Sequence, residues 1–103
     1  MALVELVYRM TAGFPREEVF GLAAQMRRAA VSVQSNLAEG AARTSSKDLL
    51  GFLHIANGSL AELDTQVEIA HRLGYLDVGE LAPQLTRVHK LLSALTHSIR
   101  EKL

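Results

Sequence analysis

The feature that most constrains the fold is a run of apolar residues spaced alternately four and three positions apart. Its members are Leu49, Leu53, Ala56, Leu60, Leu63, Val67 and Ala70. This heptad spacing places them all on one face of a helix and is typical of coiled-coil-like packing. Ser45, with Asp48 three residues later, resembles a capping box, and Gly74 supplies a C-terminal stop. We therefore predict a helix from Ser45 to about Leu73, roughly 40 Å long at 1.5 Å per residue.

A second long helix is predicted from about Pro15, whose ring suits a first helical turn, to Glu39, with Gly40 ending it. Its core face comprises Val19, Leu22, Ala23, Met26, Ala30, Val33 and Leu37. A second apolar row, on another face, comprises Phe20, Ala24, Val31 and Ala38. A surface helix needs only one apolar stripe. The extra row therefore indicates a helix that lies between several neighbours.

Two shorter helices complete the chain. The first is predicted over residues 2–12, with Gly13 in the left-handed position after it. The last is predicted from about Pro83 and has one apolar stripe, made of Leu85, Val88, Leu92, Leu95 and Ile99. Gly58, inside the third helix, indicates a close approach of another backbone. Short loops between long helices favour antiparallel neighbours, so we expect an all-α, up-down-up-down four-helix bundle, with residues 1–103 as one domain.

The composition excludes several classes of protein. Eleven basic and 11 acidic side chains give zero net charge, which argues against a strongly basic nucleic-acid binder. No cysteine is present, and no apolar run approaches the roughly 18 residues of a membrane span. Glu5 and Arg9 interrupt the apolar N-terminal stretch, so we expect no signal peptide and a cytoplasmic protein. Hydrophobic residues make up 49%, a high share for a chain of this length, which predicts burial against other copies.

Polar residues follow both long helices at helical spacing and form the principal candidate site. They are Arg28, Ser32 and Asn36 on the second helix, and Ser59, Glu62 and Gln66 on the third. We hypothesise that Arg28 pairs with Glu62 and that the other four complete a hydrogen-bond network. Such a network either binds a ligand or fixes helix register and subunit contacts. We favour the structural role, under which replacing Glu62 by Ala would cost several kcal/mol of stability because Arg28 would be left buried and unpaired.

Charged residues at two other places have two interpretations each. The first place is the connection between the second and third helices, which carries Glu39, Arg43 and Lys47. These residues either contact a phosphate or, as we prefer, stabilise the helix ends. The second place is the last helix, where four basic residues outnumber two acidic ones, Glu80 and Glu101. The basic residues are Arg87, Lys90, Arg100 and Lys102. They are either a solvated helix face or contacts to RNA.

No chemistry-bearing constellation can be recognised. The histidines, His54, His71, His89 and His97, have no spacing of three or four between them, so no metal site is predicted. Neither a nucleophile–base arrangement nor a Gly-rich phosphate loop occurs. We therefore expect no cofactor and no catalytic residues.

Several motifs resemble a known family, the 23S rRNA intervening-sequence proteins, also called the S23 family. They are Phe14-Pro15-x-Glu17, Gln25-x-Arg27-Arg28-Ala29-Ala30-x-Ser32, Ser35-Asn36-x-Ala38-Glu39-Gly40-x-x-Arg43, Phe52-Leu53-x-Ile55-Ala56-x-Gly58-Ser59-x-x-Glu62-Leu63 and Ala70-x-x-Leu73-Gly74-Tyr75. The resemblance implies a four-helix bundle that assembles as a homopentamer. It also extends distantly to the accessory variability determinant of diversity-generating retroelements, a basic pentameric bundle that works with reverse transcriptase and RNA.

Together these observations predict a non-enzymatic, homo-oligomeric scaffold or interaction protein whose main partner is itself. The alternative is a nucleic-acid-binding accessory protein that acts with ribosomal RNA or a retroelement reverse transcriptase.

Overall fold

The protein is an all-α bundle whose four helices pack in an antiparallel, up-down arrangement, as predicted. The computed structural model describes residues 2–103. The helices are α1 (Ala2–Thr11), α2 (Leu22–Ala41), α3 (Ser46–Arg72) and α4 (Leu81–Glu101). Consecutive helices contact one another, α1 also contacts α4, and the α2–α3 contact is the most extensive. Within residues 2–103, no helix combines the length and apolarity needed to cross a bilayer.

The heptad run of α3 forms the centre of the core. Leu53, Ala56, Leu60, Leu63, Val67 and Ala70 are each at most 5% exposed, and Leu49 is partly buried at the end of the run. From α2, Met26, Ala30 and Val33 are buried in the same cluster. Ser45 caps α3, because its Oγ accepts a hydrogen bond from the Asp48 N–H at 3.3 Å. The heptad and its cap were therefore predicted correctly.

The start of α2 lies seven residues later than predicted. Residues Arg16–Glu18 form a separate 3₁₀ turn, and Gly21 separates this turn from α2 with a non-helical backbone. The Glu18 carboxylate stabilises the start of α2, because its Oε1 accepts a hydrogen bond from the Leu22 N–H at 3.2 Å. Val19, predicted in the core, is 48% exposed because it lies before the helix.

The glycines have roles that differ from the prediction. Gly40 does not end α2; it lies inside the helix and is buried, and a Cβ on it would be 2.8 Å from Leu49 Cδ1. It is therefore Gly40 that permits close packing within the chain. A Cβ on Gly58 would meet nothing within 4 Å. Of residues 2–103, Gly74 alone has a positive φ, so it ends α3 as predicted, whereas Gly13 does not adopt the left-handed conformation.

The last helix begins two residues before the predicted Pro83. Pro83 is the third residue of α4 and so lies in the first turn, where a backbone N–H has no intrahelical partner to lose. Leu81, the first residue, is fully buried. Burial of this leucine explains why the helix includes the residues ahead of the proline.

Candidate functional site

A polar groove runs between α2 and α3 on the outside of the bundle. Its open cavity has a volume of about 340 Å³ and is lined by Gln25, Arg28, Ala29, Ser32, Ser59, Glu62 and Gln66. No residue of α1 or α4 lines it. Five of the six polar residues predicted to form a network therefore share this groove. The sixth, Asn36, is joined to it through Ser32.

Hydrogen bonds connect the floor of the groove across the two helices. Ser32 Oγ and Ser59 Oγ lie 2.7 Å apart, and Ser59 is buried. Asn36 Nδ2 donates to the Ser32 carbonyl at 2.8 Å and to Ser32 Oγ at 3.2 Å. Whichever serine donates to the other, one hydroxyl hydrogen remains available. The floor therefore fixes the register of α2 against α3 and keeps one donor free.

Gln66 is the unsatisfied member of the groove. Its side chain is 8% exposed, and its Oε1 accepts no hydrogen bond from any of residues 2–103. A buried acceptor without a donor typically costs about 1–3 kcal/mol. The groove is thus incomplete within one copy of the chain.

Arg28 and Glu62 line the groove but do not pair as predicted. Both residues are exposed, and no ion pair within 4.0 Å joins their side chains. Because Arg28 is not buried in the chain, replacing Glu62 by Ala would not leave a buried charge. The large destabilisation predicted for that substitution therefore has no basis within a single copy.

Apolar side chains flank the groove on both sides. On α3, Ile55, Ile69 and Leu73 are 53%, 43% and 54% exposed. On α2, Val31 of the second apolar row is 39% exposed, and Ala24 and Ala38 reach the surface as well. Phe20, predicted in the same row, is 94% exposed but precedes α2, because the non-helical Gly21 separates it from the helix. The polar groove therefore lies within a largely apolar face.

Sequence reasoning missed a second heptad pattern on α3. Gly51, Ile55, Gly58, Glu62, Thr65 and Ile69 are spaced alternately four and three apart, and all six are exposed. We call these six residues the outer seam. Its spacing was visible in the sequence, but two glycines and a glutamate concealed it because they carry no apolar signal.

The predicted helix-end residues meet at the turn between α2 and α3. Arg43 Nη2 donates to Glu39 Oε2 at 3.1 Å, and its guanidinium lies 4.9 Å from the centre of the Phe52 ring. Lys47 lines the same surface cavity as Arg43 and Phe52. These contacts give Arg43 two partners at the helix end.

The basic residues of α4, Arg87, Lys90, Arg100 and Lys102, are all exposed. Arg100 Nη2 lies 3.1 Å from His54 Nε2, so it is partly engaged with α3. The sequence did not reveal the link between His89 Nε2 and Asp64 Oδ2, 2.5 Å apart, which also joins α3 to α4. Within residues 2–103, no group of three or more histidine or acidic residues is placed to hold a metal ion.

Two shifted ionisations lie outside the groove. Burial, together with the Glu18 carboxylate that accepts the Tyr75 hydroxyl at 3.1 Å, raises the pKa of the Tyr75 phenol. The Arg72 guanidinium, which donates to Glu68 at 2.7 Å, lowers the pKa of the Glu68 carboxyl. The first pair joins the end of α3 to the turn before α2, the second lies within α3, and neither lines the groove.

Comparison with known proteins supports the sequence resemblance. A family model described as 23S rRNA-intervening sequence protein matches residues 1–97, which is nearly the whole chain. No curated protein matches the chain at a significant level.

Proposed function

The chain belongs to the 23S rRNA-intervening sequence protein family, and we propose that it acts in the cytoplasm as a non-enzymatic scaffold built from several copies of itself. The observation that carries this proposal is the alignment of exposed apolar side chains on α2 and α3. Single exposed apolar residues are normal on a protein surface. Here Val31 of α2, Ile55 and Ile69 of α3, and Leu73 at the C-terminal cap of α3 lie exposed on the two helices that form the groove. Extended apolar surface of this kind is typical of protein–protein contacts.

The proposed number of subunits is five, as the family resemblance implies. A closed ring requires each copy to present two complementary surfaces, one to each neighbour. The apolar row of α2 and the outer seam of α3 lie on different helices, on either side of the groove. Their presence therefore supports a ring in which α2 of one copy meets α3 of the next.

The mass of the protein in solution tests the proposal. Light scattering or sedimentation at micromolar concentration should give five times the 11.2 kDa of one chain. Another multiple would retain assembly but overturn the number five. A fully helical species with the mass of one chain would overturn the scaffold.

A second candidate function, an RNA-binding accessory role with ribosomal RNA or a retroelement reverse transcriptase, is favoured by one observation. Arg87, Lys90 and Lys102 of α4 are exposed and form no ion pair with any of residues 2–103. Free cations on one helix can contact phosphates. Binding to structured RNA should then weaken steeply as salt rises, because phosphate contacts release counterions. Replacing Arg87 and Lys90 by Glu should reduce that salt dependence. An affinity for RNA that does not change with salt concentration would exclude this role.

A further inference from the structure

We propose that the α2–α3 groove is one half of a contact between copies, in which Arg28 of one copy pairs with Glu62 of the partner subunit. The proposal rests on the homo-oligomer proposed above and specifies where its copies meet. Three independent observations support it: an unsatisfied acceptor, two unpaired opposite charges, and glycines that face open space.

The unsatisfied acceptor is the side-chain oxygen of Gln66. Gln66 is more than nine-tenths buried and lines the cavity, yet its Oε1 has no partner in residues 2–103. Buried polar groups in proteins are nearly always hydrogen-bonded. An occupant of the groove that brings an N–H or O–H group to this oxygen would therefore satisfy it.

The two charges favour a second copy as that occupant. The groove exposes a guanidinium, Arg28, and a carboxylate, Glu62, that are not paired with each other. A small anion or a small cation would satisfy one of them and leave the other without a partner. Every copy carries the same two groups, so in a ring Arg28 can meet Glu62 of one neighbour while Glu62 meets Arg28 of the other neighbour. Complementary charge of this kind fixes partner choice and register.

The outer seam provides the space for close approach. Gly51 and Gly58 lie inside α3, where glycine is less favourable than alanine, and a Cβ on either would meet nothing within 4 Å. Within residues 2–103, no other helix or loop therefore fills the gap that these glycines leave. Ile55 and Ile69, on the same seam, offer apolar surface beside it. A helix of a second copy that lies along the seam would use both features.

Charge reversal tests the pairing. Arg28→Glu and Glu62→Arg each place like charges in every contact between identical copies. Each variant alone should associate at least roughly thirty-fold more weakly than the parent, which is the lower range for disrupting a desolvated charge pair. Both side chains are exposed, so circular dichroism should show unchanged helix content. A tag on the first variant should then capture the second from an equimolar mixture, because the introduced glutamate of one copy would now meet the introduced arginine of the other.

The mixture separates contacts between copies from contacts within one copy. If Arg28 and Glu62 paired only inside a chain, mixing would restore nothing. Lys90→Glu and Glu101→Arg, reversals of exposed charges on α4 away from the groove, serve as matched controls and should assemble like the parent. If the parent assembles and both groove variants assemble equally well, this contact is wrong, but the proposed scaffold is not contradicted. A monomeric parent would overturn both.

A Gln66→Leu variant supplies a readout that does not depend on charge. It removes the unpaired acceptor and keeps a similar volume, so an isolated chain should be at least as stable as the parent. Assembly should weaken, because the donor from the partner subunit loses its acceptor. Unchanged assembly would show that no donor from a second copy reaches this oxygen.

Discussion

Helix α3 carries two heptad patterns on different faces, and they have opposite outcomes. The inner pattern, with Leu53, Leu60 and Leu63, is fully buried against the rest of the chain. The outer seam, with Ile55, Gly58 and Glu62, repeats at the same interval but lies exposed on the surface. The difference shows that spacing determines which residues share a face, whereas side-chain type determines whether that face is filled within the chain.

The largest expected difference between the two patterns concerns stability. Leu60→Ala should lower the free energy of unfolding by about 2–5 kcal/mol, because it leaves a cavity in a site with no exposure. Ile55→Ala, its counterpart on the outer seam, should change the stability of a single chain by less than about 0.5 kcal/mol. Urea denaturation at several protein concentrations measures both. The Ile55 effect should grow with concentration if the seam is a contact between copies, and equal costs in dilute solution would contradict the distinction.

The next effect tests the close packing of α2 against α3 at Gly40. Gly40→Ala places a Cβ 2.8 Å from Leu49 Cδ1 and 3.1 Å from Phe52 Cβ. The two side chains must shift, and overpacking of this kind typically costs about 1–3 kcal/mol. Thermal unfolding should show the loss. A gain in stability would mean that Leu49 and Phe52 adapt freely, and that the α2–α3 contact is looser here than in its centre.

Gly58→Ala should have the opposite sign in an isolated chain. A Cβ there meets nothing within 4 Å, and alanine in a helix interior is about 0.8–1.0 kcal/mol more favourable than glycine. The dilute protein should therefore unfold at higher urea concentration. The same substitution should weaken assembly, measured by sedimentation, if a second copy approaches the seam closely. A variant that is more stable and assembles normally would indicate that Gly58 faces solvent.

These two glycines also show what the sequence could and could not determine. A glycine inside a helical pattern indicates either a helix end or a close neighbour, and both interpretations use the same residue type. Gly40 was assigned as an end and Gly58 as a close contact, yet within the chain it is Gly40 that has the close neighbours. Three-dimensional packing decides between these roles. By contrast, the inner heptad, the Ser45 cap and the Gly74 stop follow from local geometry and were predicted correctly.

The candidate site was predictable in membership but not in connectivity. Helical spacing brought Ser32, Ser59 and Gln66 to facing surfaces, and the structure places them in one groove. Spacing could not show that Arg28 and Glu62 remain exposed, because that depends on how far the two helix axes stand apart at the surface. It also could not show that the Gln66 acceptor lacks a donor. Because of these two facts, the groove is a surface with unpaired charges and an unsatisfied acceptor, and not the internal network that was predicted.

The smallest expected effect is that of Thr65→Ala, which separates the contribution of side-chain size from that of helix propensity on the outer seam. Thr65 is exposed, and its hydroxyl bonds only to the Ala61 carbonyl of its own helix, at 3.2 Å. Thr65→Ala should therefore stabilise an isolated chain by about 0.5 kcal/mol through helix propensity, as Gly58→Ala does more strongly. Unlike Gly58→Ala, however, it makes the seam smaller, so it gives an approaching helix no new obstacle. Sedimentation should find assembly unchanged in Thr65→Ala and weakened in Gly58→Ala. If both variants weakened assembly, helix stability rather than close approach would control association, and the glycines of the seam would lose their proposed role.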